Sequence, residues 1–436
     1  MQQPPTIVTR AQRFSGRTAV HRADKTHTYN DILEQSALIA TRLLENVDDL
    51  MEEPVVFLAP AGANYVAMLW GIWQAGGIAV PVNVHATLSE MQYVVETAGA
   101  KLMLADDTLK EQARDLTANC VLTTLFSGEL LSSDYDSIGE PLSKRFPPVT
   151  AGRKALMIFT SGTTSKPKGV VTTHANINAQ INTLIDSWGW QQEDKIPLFL
   201  PLHHVHGLIN ILCCALWVGA EVEVFPDGFD LQKVSAGVVD CRWTMFMAVP
   251  TIYVKLIAAI EAASDDTALL YRKGFNAMRL MVSGSAALPA SVHARWEELT
   301  GQRLLERYGM TEIGMALSNP LNGERRPGSV GLPLPEVELR LVTEEGDIVA
   351  HESDVEGLPG EIQVKGPNVF LEYWNDEPAT TAAFAKDGWF RTGDMAVREE
   401  GYYRIMGRLS VDIIKSGGYK LSALEIESVL LDHADI

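Results

Sequence analysis

The 436-residue sequence predicts an α/β protein that carries a β-rich region toward its C-terminal end. Helix-like and strand-like patterns alternate through residues 1–150, as in proteins built around parallel sheets. From Gly328 onward the pattern changes to short strands separated by glycine turns, which is typical of an antiparallel subdomain. Hydrophobic residues make up 46% of the chain, which is enough for a large core in two or more domains.

Four segments of the first half define the alternation. The segment THTYNDILEQSALIATRLLE is amphipathic and predicts a helix, PVVFLA predicts a strand, YVAMLWGIWQAGG a buried helix and IAVPVN a second strand. SDYDSIGEPLSKRFPPVTAGR is rich in Ser, Pro and Gly and predicts a connection. Beyond it, ANINAQINTLIDSWGW predicts a helix whose apolar face includes Ile177, Ile181 and Trp188.

The last hundred residues predict the β-rich subdomain and, after it, the start of a further domain. VELRLV, GEIQVKG and GYYRIMGR are strand-like, and a new helix is predicted after them with a capping box between Ser422 and Glu425. We expect residues 1–407 to form one large domain and residues 408–436 a hinge and the first part of a small C-terminal domain. Because about thirty residues are too few for a domain, most of that small domain is expected to be missing from this chain.

Charge and hydropathy limit the classes of partner. A formal net charge of −19 argues against nucleic acid, because a phosphate backbone is repelled by the average surface. The sequence contains no apolar run long enough for a transmembrane segment. We therefore expect small-molecule substrates, and any phosphate site must be local. The composition does not indicate an oligomeric state.

Cysteine usage and the N-terminus bear on the compartment. The four cysteines lack CxxC spacing, which favours a reducing environment and predicts core thiols. The first 22 residues carry four arginines and no acidic residue, as a mitochondrial presequence does. A cytoplasmic protein is expected, with the mitochondrial matrix as the alternative.

One loop is too polar for its apolar neighbours. TSGTTSKPKG, between ALMIF and VV, contains five hydroxyl residues, two glycines and two lysines. It does not fit the Walker pattern, because Pro167 stands where the second glycine is needed and a strand-like VVTTH follows. A hairpin of this composition is suited to wrap a polyphosphate with backbone N–H groups, hydroxyls and the ammonium groups of Lys166 and Lys168. The alternative is a solvated hairpin without a ligand.

Six motifs together resemble the adenylate-forming enzymes, the family of acyl-CoA synthetases, luciferases and peptide-synthetase adenylation domains. They occur in the family's order and cover nearly the whole chain: TSGTTSKPKG, LPLHHVHG, SGSA, ERYGMTE, GWFRTGD and GRLSVDIIKSGGYK. The resemblance implies a large adenylate-forming domain with two α/β sheets and a β-rich subdomain. It also implies a two-step reaction, in which a carboxylate attacks the α-phosphate of ATP and the thiol of CoA then takes the acyl group. ATP, Mg²⁺ and CoA are the implied cofactors and cosubstrates.

The resemblance also assigns roles to residues. Tyr308 is expected to stack on adenine, and Asp394 to hold the ribose hydroxyls with Arg408 nearby. Glu312 and Thr163 are expected to position Mg²⁺ and to take part in catalysis, as is Lys415 in the thioester step. Gly417 and Gly418 are expected to line the CoA channel. The nucleotide-binding set implied by the motifs is Thr160, Ser161, Gly162, Thr163, Thr164, Lys168, Gly284, Tyr308, Gly309, Thr311, Asp394 and Arg408.

The predicted acyl pocket carries charge where a fatty-acyl enzyme has apolar side chains. Arg307 precedes Tyr308, and His206 lies in the histidine-rich HHVHG segment. An arginine fork meets a second carboxylate with charge-assisted hydrogen bonds, whereas an unpaired buried carboxylate is costly. A dicarboxylate is therefore expected, and the motifs are most similar to those of malonyl-CoA and methylmalonyl-CoA synthetases. On this interpretation Arg307, His206 and Ser283 hold the distal carboxylate of malonate.

Plainer interpretations of these residues remain open. Arg307 is alternatively a structural ion-pair partner of Glu306 or Glu312. A zinc site at the histidines of HHVHG is disfavoured, because no Cys or acidic ligand lies nearby in sequence. Cys213 and Cys214 lie in the apolar segment LINILCCALWV and are interpreted as core thiols.

Departures from the family pattern keep other functions open. Ser165 stands where most relatives have glycine, Ser410 aligns with the hinge residue, and no residue matches the late lysine that reaches the α-phosphate, so slow adenylation is expected. Besides a malonate–CoA ligase, the alternatives are another short-chain acyl-CoA synthetase, a non-catalytic nucleotide-binding protein and an adenylation domain that serves a carrier protein.

Overall fold

A computed structural model of the chain describes residues 5–22, 25–131, 146–160, 166–349, 357–410, 412–416, 419–423, 426 and 430. The chain divides into two compact units. The first contains Met1–Asn182, Trp190–Asp230 and Phe370–Glu377, and the second contains Thr183–Gly189, Leu231–Val369 and Pro378–Ile436. The domain boundary predicted between residues 407 and 408 stays a prediction.

The described strands are numbered along the chain. They are β1 (Thr18–Arg22), β2 (Lys25–Thr28), β3 (Pro54–Leu58), β4 (Ile78–Pro81), β5 (Leu102–Ala105), β6 (Thr123–Phe126), β7 (Lys154–Thr160), β8 (Lys168–Thr173), β9 (Lys195–Leu198), β10 (Glu221–Val224), β11 (Met245–Ala248), β12 (Leu280–Ser283), β13 (Leu305–Met310), β14 (Gly314–Ser318), β15 (Leu332–Pro333), β16 (Glu338–Val342), β17 (Gly360–Lys365), β18 (Glu372–Tyr373), β19 (Phe390–Glu399), β20 (Tyr402–Arg408), β21 (Ile413–Ser416) and β22 (Tyr419–Ser422).

The described helices are numbered in the same way. They are α1 (Thr6–Ala11), α2 (Tyr29–Leu43), α3 (Ala63–Gln74), α4 (Leu88–Ala98), α5 (Lys110–Asn119), α6 (Ser127–Leu130), α7 (His174–Trp188), α8 (Cys214–Val218), α9 (Leu231–Val239), α10 (Pro250–Glu261), α11 (Asp265–Asn276), α12 (Ala290–Thr300) and α13 (Glu377–Ala383). A π-helix, His206–Cys213, runs directly into α8. Among the described helices, none is both long enough and apolar enough to cross a bilayer.

The first unit is built on a seven-stranded mixed sheet with the order β18-β8-β7-β4-β3-β5-β6. Strands β7, β4, β3, β5 and β6 run parallel, and β8 and β18 are added antiparallel at one edge. All five residues of β3 are buried, as expected for a central strand covered on both faces. A second, four-stranded sheet in this unit has the order β2-β1-β10-β9.

Helices α2 and α3 have the character that the sequence predicts. α2 begins with a capping box between Thr28 and Asp31, and α3 is buried along nearly its whole length. Two side chains of α3 form hydrogen bonds inside the unit: Gln74 Nε2 donates to Ser36 Oγ at 2.9 Å, and the indole N–H of Trp73 donates to the carbonyl oxygen of Ala155 at 2.6 Å. The two predicted helices and the two predicted strands of this region are therefore confirmed.

The second unit contains a five-stranded sheet with the order β11-β12-β13-β14-β15 and a four-stranded sheet with the order β16-β17-β19-β20. In the five-stranded sheet β11, β12 and β13 are parallel, and β14 and β15 are antiparallel additions. The four-stranded sheet is antiparallel throughout and corresponds to the β-rich subdomain predicted after Gly328. The α/β fold class is confirmed, with one large α/β sheet in each unit.

Cysteine burial agrees only in part with the sequence prediction. Cys213 and Cys214 are buried, and burial raises the pKa of Cys213 to about 12, so their interpretation as core thiols is confirmed. Cys120 is half-buried and Cys241 is exposed. The expectation of a core thiol is wrong for Cys241, because it lies in the turn that follows α9 and has a left-handed backbone with φ +52°.

The predicted capping box at the end of the chain is only partly described. Ser422 is the last residue of β22, and its hydroxyl donates to the carbonyl oxygen of Met406. Glu425 lies outside the described residues. The helix start at Ser422 therefore stays a prediction.

A close helix crossing in the second unit leads to a stability prediction. A Cβ atom built on Gly274 in α11 overlaps the backbone carbonyl oxygen of Val238 in α9, and backbone atoms have little freedom to move aside. We expect Gly274→Ala to destabilise the protein by about 1 to 3 kcal/mol, which lowers the Tm by several degrees. Thermal unfolding followed by circular dichroism measures this shift. Gly16→Ala is the control, since no atom lies within 4 Å of its added Cβ; equal Tm values for the two variants would contradict the close crossing.

Candidate active site

The second unit contains a pocket of about 250 Å³ at the carboxyl end of β12 and along the neighbouring strand β13. β12 and β13 lie side by side with Ser283 opposite Glu306, and residues 284–288 of the loop after β12 line the pocket. Crevices at this edge of a sheet are the usual binding sites of α/β proteins. The lining residues are Ser283, Gly284, Ser285, Ala286, Ala287, Leu288, Glu306, Arg307, Tyr308, Gly309, Met310, Gly328, Val330, Asp394, Ile405 and Arg408.

Arg307 is a buried cation without a counter-ion in the described part of the chain. Its side chain is 4% exposed, and burial lowers its pKa to about 10, so it remains charged at neutral pH. Its Nη2 donates to Ser285 Oγ at 3.0 Å, and its Nε has no hydrogen-bond partner among the described residues. The alternative of a structural ion pair with Glu306 or Glu312 is wrong, because neither carboxylate lies within ion-pairing distance of this guanidinium.

The SGSA segment forms the pocket wall next to the Arg307 guanidinium. A Cβ atom on Gly284 would lie 2.6 Å from Arg307 Nε and 2.7 Å from its Cζ, so only glycine leaves room for the arginine in this position. Ser283 is buried next to it, and its hydroxyl has no partner among the described residues. Two unsatisfied polar groups, Ser283 Oγ and Arg307 Nε, therefore belong to the same pocket.

A hydrogen-bonded group joins the three residues predicted for adenosine. Asp394 and Arg408 face each other on β19 and β20, and Arg408 Nε donates to Asp394 Oδ1 at 3.0 Å. The Tyr308 hydroxyl donates to Asp394 Oδ2 at 2.6 Å. Burial raises the pKa of Asp394, and these two donors oppose the rise. Each carboxylate oxygen keeps further acceptor capacity, so a diol can still bind there.

Glu306 is a pocket residue whose importance the sequence did not reveal. It is 6% exposed, and its Oε1 accepts a hydrogen bond from the Gly328 N–H at 3.1 Å. Burial raises the pKa of this carboxyl to about 8. The sequence suggested Glu306 only as an ion-pair partner of Arg307. The available signal was its place directly after the apolar residues Leu304 and Leu305, at the buried start of β13.

The turn between β13 and β14 carries Thr311 and Glu312. Gly309 is required before it, because a Cβ atom there would overlap the carbonyl oxygen of Gly314. Glu312 is buried, and Asn368 Nδ2 braces the turn by donating to the carbonyl oxygen of Ile313 at 2.6 Å. Neither Thr311 nor Glu312 lines the 250 Å³ pocket.

The predicted phosphate loop connects two antiparallel strands of the first unit. Thr160 ends β7 and pairs with Lys168, which begins β8, so the predicted hairpin between buried strands is confirmed. Ser161, Gly162, Thr163, Thr164 and Ser165 lie outside the described residues. The predicted partner of Glu312 in a magnesium site, Thr163, is among them.

Other predicted site residues are placed on separate elements. His206 is the first residue of the π-helix in the first unit and is buried. In the second unit Lys415 lies in β21 and pairs with Lys420 of β22. Gly417 and Gly418 lie outside the described residues. Ser410, which aligns with the family's hinge residue, lies in the turn after β20, where the Asp412 carboxylate accepts from the Arg408 N–H at 2.8 Å.

Two of the three histidines of HHVHG, His203 and His204, lie next to each other. The rings of His203 and His204 lie 4.3 Å apart, and burial lowers the pKa of His203 to about 4. Burial lowers the pKa of His204 as well. Over the residues that the structure describes, no three His, Cys, Asp or Glu side chains come together as a metal-binding group.

Comparison with known proteins agrees with this geometry. A model of the AMP-binding enzyme family matches residues 7–374. The chain belongs to this family of AMP-binding enzymes. It is similar to a protein of Xenopus laevis named malonate–CoA ligase ACSF3, mitochondrial, with 41% identity over 464 residues that cover 99% of this chain and 79% of the relative.

Two solved structures of the family are similar over nearly the whole chain. ATP-bound MatB from Rhodopseudomonas palustris superimposes with a TM-score of 0.86 at 30% identity, covering 99% of this chain and 84% of MatB. A malonyl-CoA ligase in a ternary product complex with methylmalonyl-CoA and AMP superimposes with a TM-score of 0.77 at 36% identity, covering 97% of this chain and 84% of that one.

Glu306 leads to a prediction about pH. Its folded-state pKa of about 8 lies above the ordinary value of 4.5, so the folded protein keeps a proton that the unfolded chain releases. Below pH 4.5 this group adds no pH dependence to the free energy of unfolding, because it is protonated in both states. Between pH 4.5 and 8 it lowers that free energy by up to about 1.4 kcal/mol per pH unit, and above pH 8 the loss is complete.

We expect Glu306→Gln to remove this dependence, because the amide cannot ionise and still accepts from the Gly328 N–H. Urea unfolding of both proteins from pH 5 to 8.5 measures it. The stability of the variant relative to the original protein should rise as the pH rises. A difference that is constant across this range would contradict a protonated Glu306.

Proposed function

We propose that this AMP-binding enzyme is an AMP-forming acid–thiol ligase that joins malonate to CoA. The overall reaction converts malonate, ATP and CoA into malonyl-CoA, AMP and pyrophosphate. The Xenopus laevis relative named malonate–CoA ligase supports this choice, as does the similarity to a malonyl-CoA ligase structure. Activation of an acid as its adenylate follows from the family.

The observation that carries the choice of acid is the buried guanidinium of Arg307. A charged group that is 4% exposed and has no described counter-ion is poorly solvated until a carboxylate binds it. Its unpaired Nε and the unpaired Ser283 hydroxyl supply two donors for that carboxylate. We assign the distal carboxylate of malonate to these groups, with His206 as a third contact. Acetate lacks this carboxylate and leaves the donors unpaired.

Adenosine is assigned to Asp394, Tyr308 and Arg408 of the same pocket, and the rest of the nucleotide to the other residues that the motifs predict. Asp394 accepts from the ribose hydroxyls while Tyr308 and Arg408 hold its carboxylate in place, and the Tyr308 ring is offered to adenine. Gly284, Gly309 and Thr311 contribute backbone near the base and the α-phosphate. Thr160 and Lys168, with Ser161, Gly162, Thr163 and Thr164, are assigned to the β- and γ-phosphates.

Glu312 and Thr163 are the proposed holders of Mg²⁺. A buried carboxylate is the hard oxygen ligand that this ion prefers, and Glu312 is 6% exposed. When bound, Mg²⁺ neutralises charge on the phosphate oxygens. The contribution of this chain is to present the carboxylate on a turn that Asn368 braces.

The proposed reaction has two steps. One carboxylate oxygen of malonate attacks the α-phosphorus of ATP, the bond to the bridging oxygen of the β-phosphate breaks, and pyrophosphate leaves. The sulfur of CoA then attacks the acyl carbon, the bond from that carbon to the phosphate oxygen breaks, AMP leaves, and the thiol proton passes to solvent. Lys415 is assigned to the thioester step, and Gly417 and Gly418 to the approach of the pantetheine arm.

The substrate range and the compartment follow the same assignment. A methyl substituent changes binding by only about 1 to 3 kcal/mol, so methylmalonate is an expected second substrate. The Xenopus laevis relative is named as mitochondrial. The mitochondrial matrix is therefore proposed beside the cytoplasm, and fractionation of cells that produce the protein distinguishes the two.

The function is tested by the products and by one substitution. With ATP and CoA the protein should form malonyl-CoA and AMP from malonate far faster than thioesters from acetate or octanoate. Arg307→Leu should lower kcat/KM for malonate about 10³-fold or more, because the distal carboxylate loses its cation, and should not lower kcat/KM for acetate. Thioester formation followed by chromatography measures both values.

The matched control is Arg325→Leu. Arg325 is partly buried, donates to the carbonyl oxygens of Pro320, Leu321 and Arg303, and does not line the pocket. It should leave the preference for malonate unchanged. Equal kcat/KM values of the original protein for malonate and acetate would contradict the assignment of Arg307, whereas failure to release AMP from any acid would contradict the ligase itself.

A further inference from the structure

The phosphate-loop hairpin of the first unit carries three lysines in its described part, and each ammonium group faces an aromatic ring. Lys168 Nζ lies 4.8 Å from the ring centre of Tyr373, and Lys166 Nζ lies 5.9 Å from that of Tyr93. At the start of β7, Lys154 Nζ lies 5.0 Å from the ring centre of Trp374. These distances are within the range in which a ring attracts a cation.

The three lysines differ in whether their charge is neutralised. Lys154 forms an ion pair with Glu372 Oε1 at 2.6 Å. Within the part of the chain that the structure describes, Lys166 and Lys168 have no carboxylate at ion-pairing distance. A carboxylate partner would cancel the charge that a polyphosphate needs, whereas a ring orients an ammonium group through its quadrupole and leaves the net charge in place.

The ring of Tyr373 is itself held by the backbone of the hairpin. β18 pairs with β8 so that Tyr373 lies opposite Val170, and the Trp374 N–H donates to the carbonyl oxygen of Gly169 at 2.8 Å. The Phe370 ring packs against Tyr373 with the ring centres 4.8 Å apart. The ring under Lys168 is therefore fixed relative to the strand that begins with Lys168.

Tyr93 is held in a comparable way from α4. Its hydroxyl donates to the carbonyl oxygen of Pro167 at 2.7 Å, between the two lysines in sequence. Its ring packs edge-to-face with Phe159 of β7, with the ring centres 6.4 Å apart. The same side chain thus contacts a cation and the backbone that carries it.

We propose that Tyr373 and Tyr93 are positioning residues that hold the ammonium groups of Lys168 and Lys166 for the phosphate chain of ATP. A lysine side chain loses much rotational freedom when it binds a phosphate. The rings restrict that freedom before ATP arrives, so less is lost on binding. The inference rests on the proposed use of Lys168 for phosphate, and it adds residues from α4 and β18 to that task.

The first experiment measures ATP binding by titration calorimetry with the full chain and no acid present. Tyr373→Leu should weaken ATP binding about two- to fivefold, because the cation–π contact is lost, and Tyr373→Phe should bind as the original protein does. Lys168→Gln should weaken binding about tenfold or more. In the Lys168→Gln background Tyr373→Leu should add nothing, because the residue on which the ring acts is gone.

The same series is then measured as enzyme kinetics. Tyr373→Leu should raise KM for ATP and change kcat by less than about twofold, with the Tm unchanged to within a few degrees. Tyr93→Leu should raise KM for ATP in the same way. Tyr93→Phe should fall between Tyr93→Leu and the original protein, because it keeps the ring and loses the hydrogen bond to Pro167.

The matched control is Lys154→Gln, since the Lys154 ammonium group faces the ring of Trp374. It removes an ammonium group that is also over a ring but is neutralised by Glu372, so it should leave ATP affinity unchanged. Equal loss of affinity in Lys154→Gln and Lys168→Gln would overturn the proposal. Additive losses for Tyr373→Leu and Lys168→Gln would also overturn it, since the ring would then act independently of the lysine.

The outcome separates this inference from the proposed function. Additive effects with normal formation of malonyl-CoA refute only the positioning role. If the original protein does not bind ATP at all, both the ligase and the positioning role are refuted.

Discussion

The candidate site depends on one electrostatic constraint, the burial of the Arg307 guanidinium without a described counter-ion. Removing a cation from water costs several kcal/mol unless other groups replace the hydration shell. Here the replacement is incomplete, since the guanidinium donates a hydrogen bond to Ser285 while its Nε has no partner in the described part of the chain. Burial lowers the pKa of the guanidinium to about 10, which still leaves it charged. On the proposed assignment a carboxylate of the substrate supplies the missing partner, and we expect discrimination between diacids and monoacids to follow from that contact.

The side of the pocket that we propose for the nucleotide has the opposite arrangement. Asp394 is also buried, yet both of its oxygens already accept a hydrogen bond from a protein donor, Tyr308 on one side and Arg408 on the other. The carboxylate is thereby fixed in orientation before a ligand is present. One pocket thus combines the Asp394 carboxylate, whose orientation is fixed, with the Arg307 guanidinium, which can still donate to a ligand. This combination suits a ligand with hydroxyls at one end and negative charge at the other.

Much of this was accessible from the sequence. The 3.6-residue periodicity of α7 and the continuous apolar run of α3 predicted both helices, and the short glycine-bounded strands predicted the antiparallel sheet. Motifs spread from Ser283 to Arg408 were expected to share a site, and the pocket of the second unit brings Ser283, Gly284, Arg307, Tyr308, Gly309, Asp394 and Arg408 together. These predictions succeeded because each depends on local pattern or on a motif whose residue types are tied to a chemical task.

The contacts that the sequence did not reveal join residues far apart in the chain. The hydrogen bond between Tyr308 and Asp394 spans 86 positions, and the raised pKa of Glu306 depends on burial that no local pattern specifies. The rings below Lys166 and Lys168 come from α4 and β18, on opposite sides of the hairpin in sequence. Such contacts arise only when strand order and register are known, since a neighbouring strand brings its own side chains to the site.

Ser285 shows what the pocket demands of a single position. Its backbone is left-handed, with φ +70°, where glycine would be at ease and most side chains are strained. Its hydroxyl is nevertheless the acceptor for Arg307 Nη2. Glycine at this position would relax the main chain but would remove the acceptor for the guanidinium, whereas threonine would keep a hydroxyl but strain the left-handed backbone further, because its side chain is β-branched. A Ser285→Gly substitution made to raise thermal stability would therefore lower the selectivity of the pocket for its acid substrate.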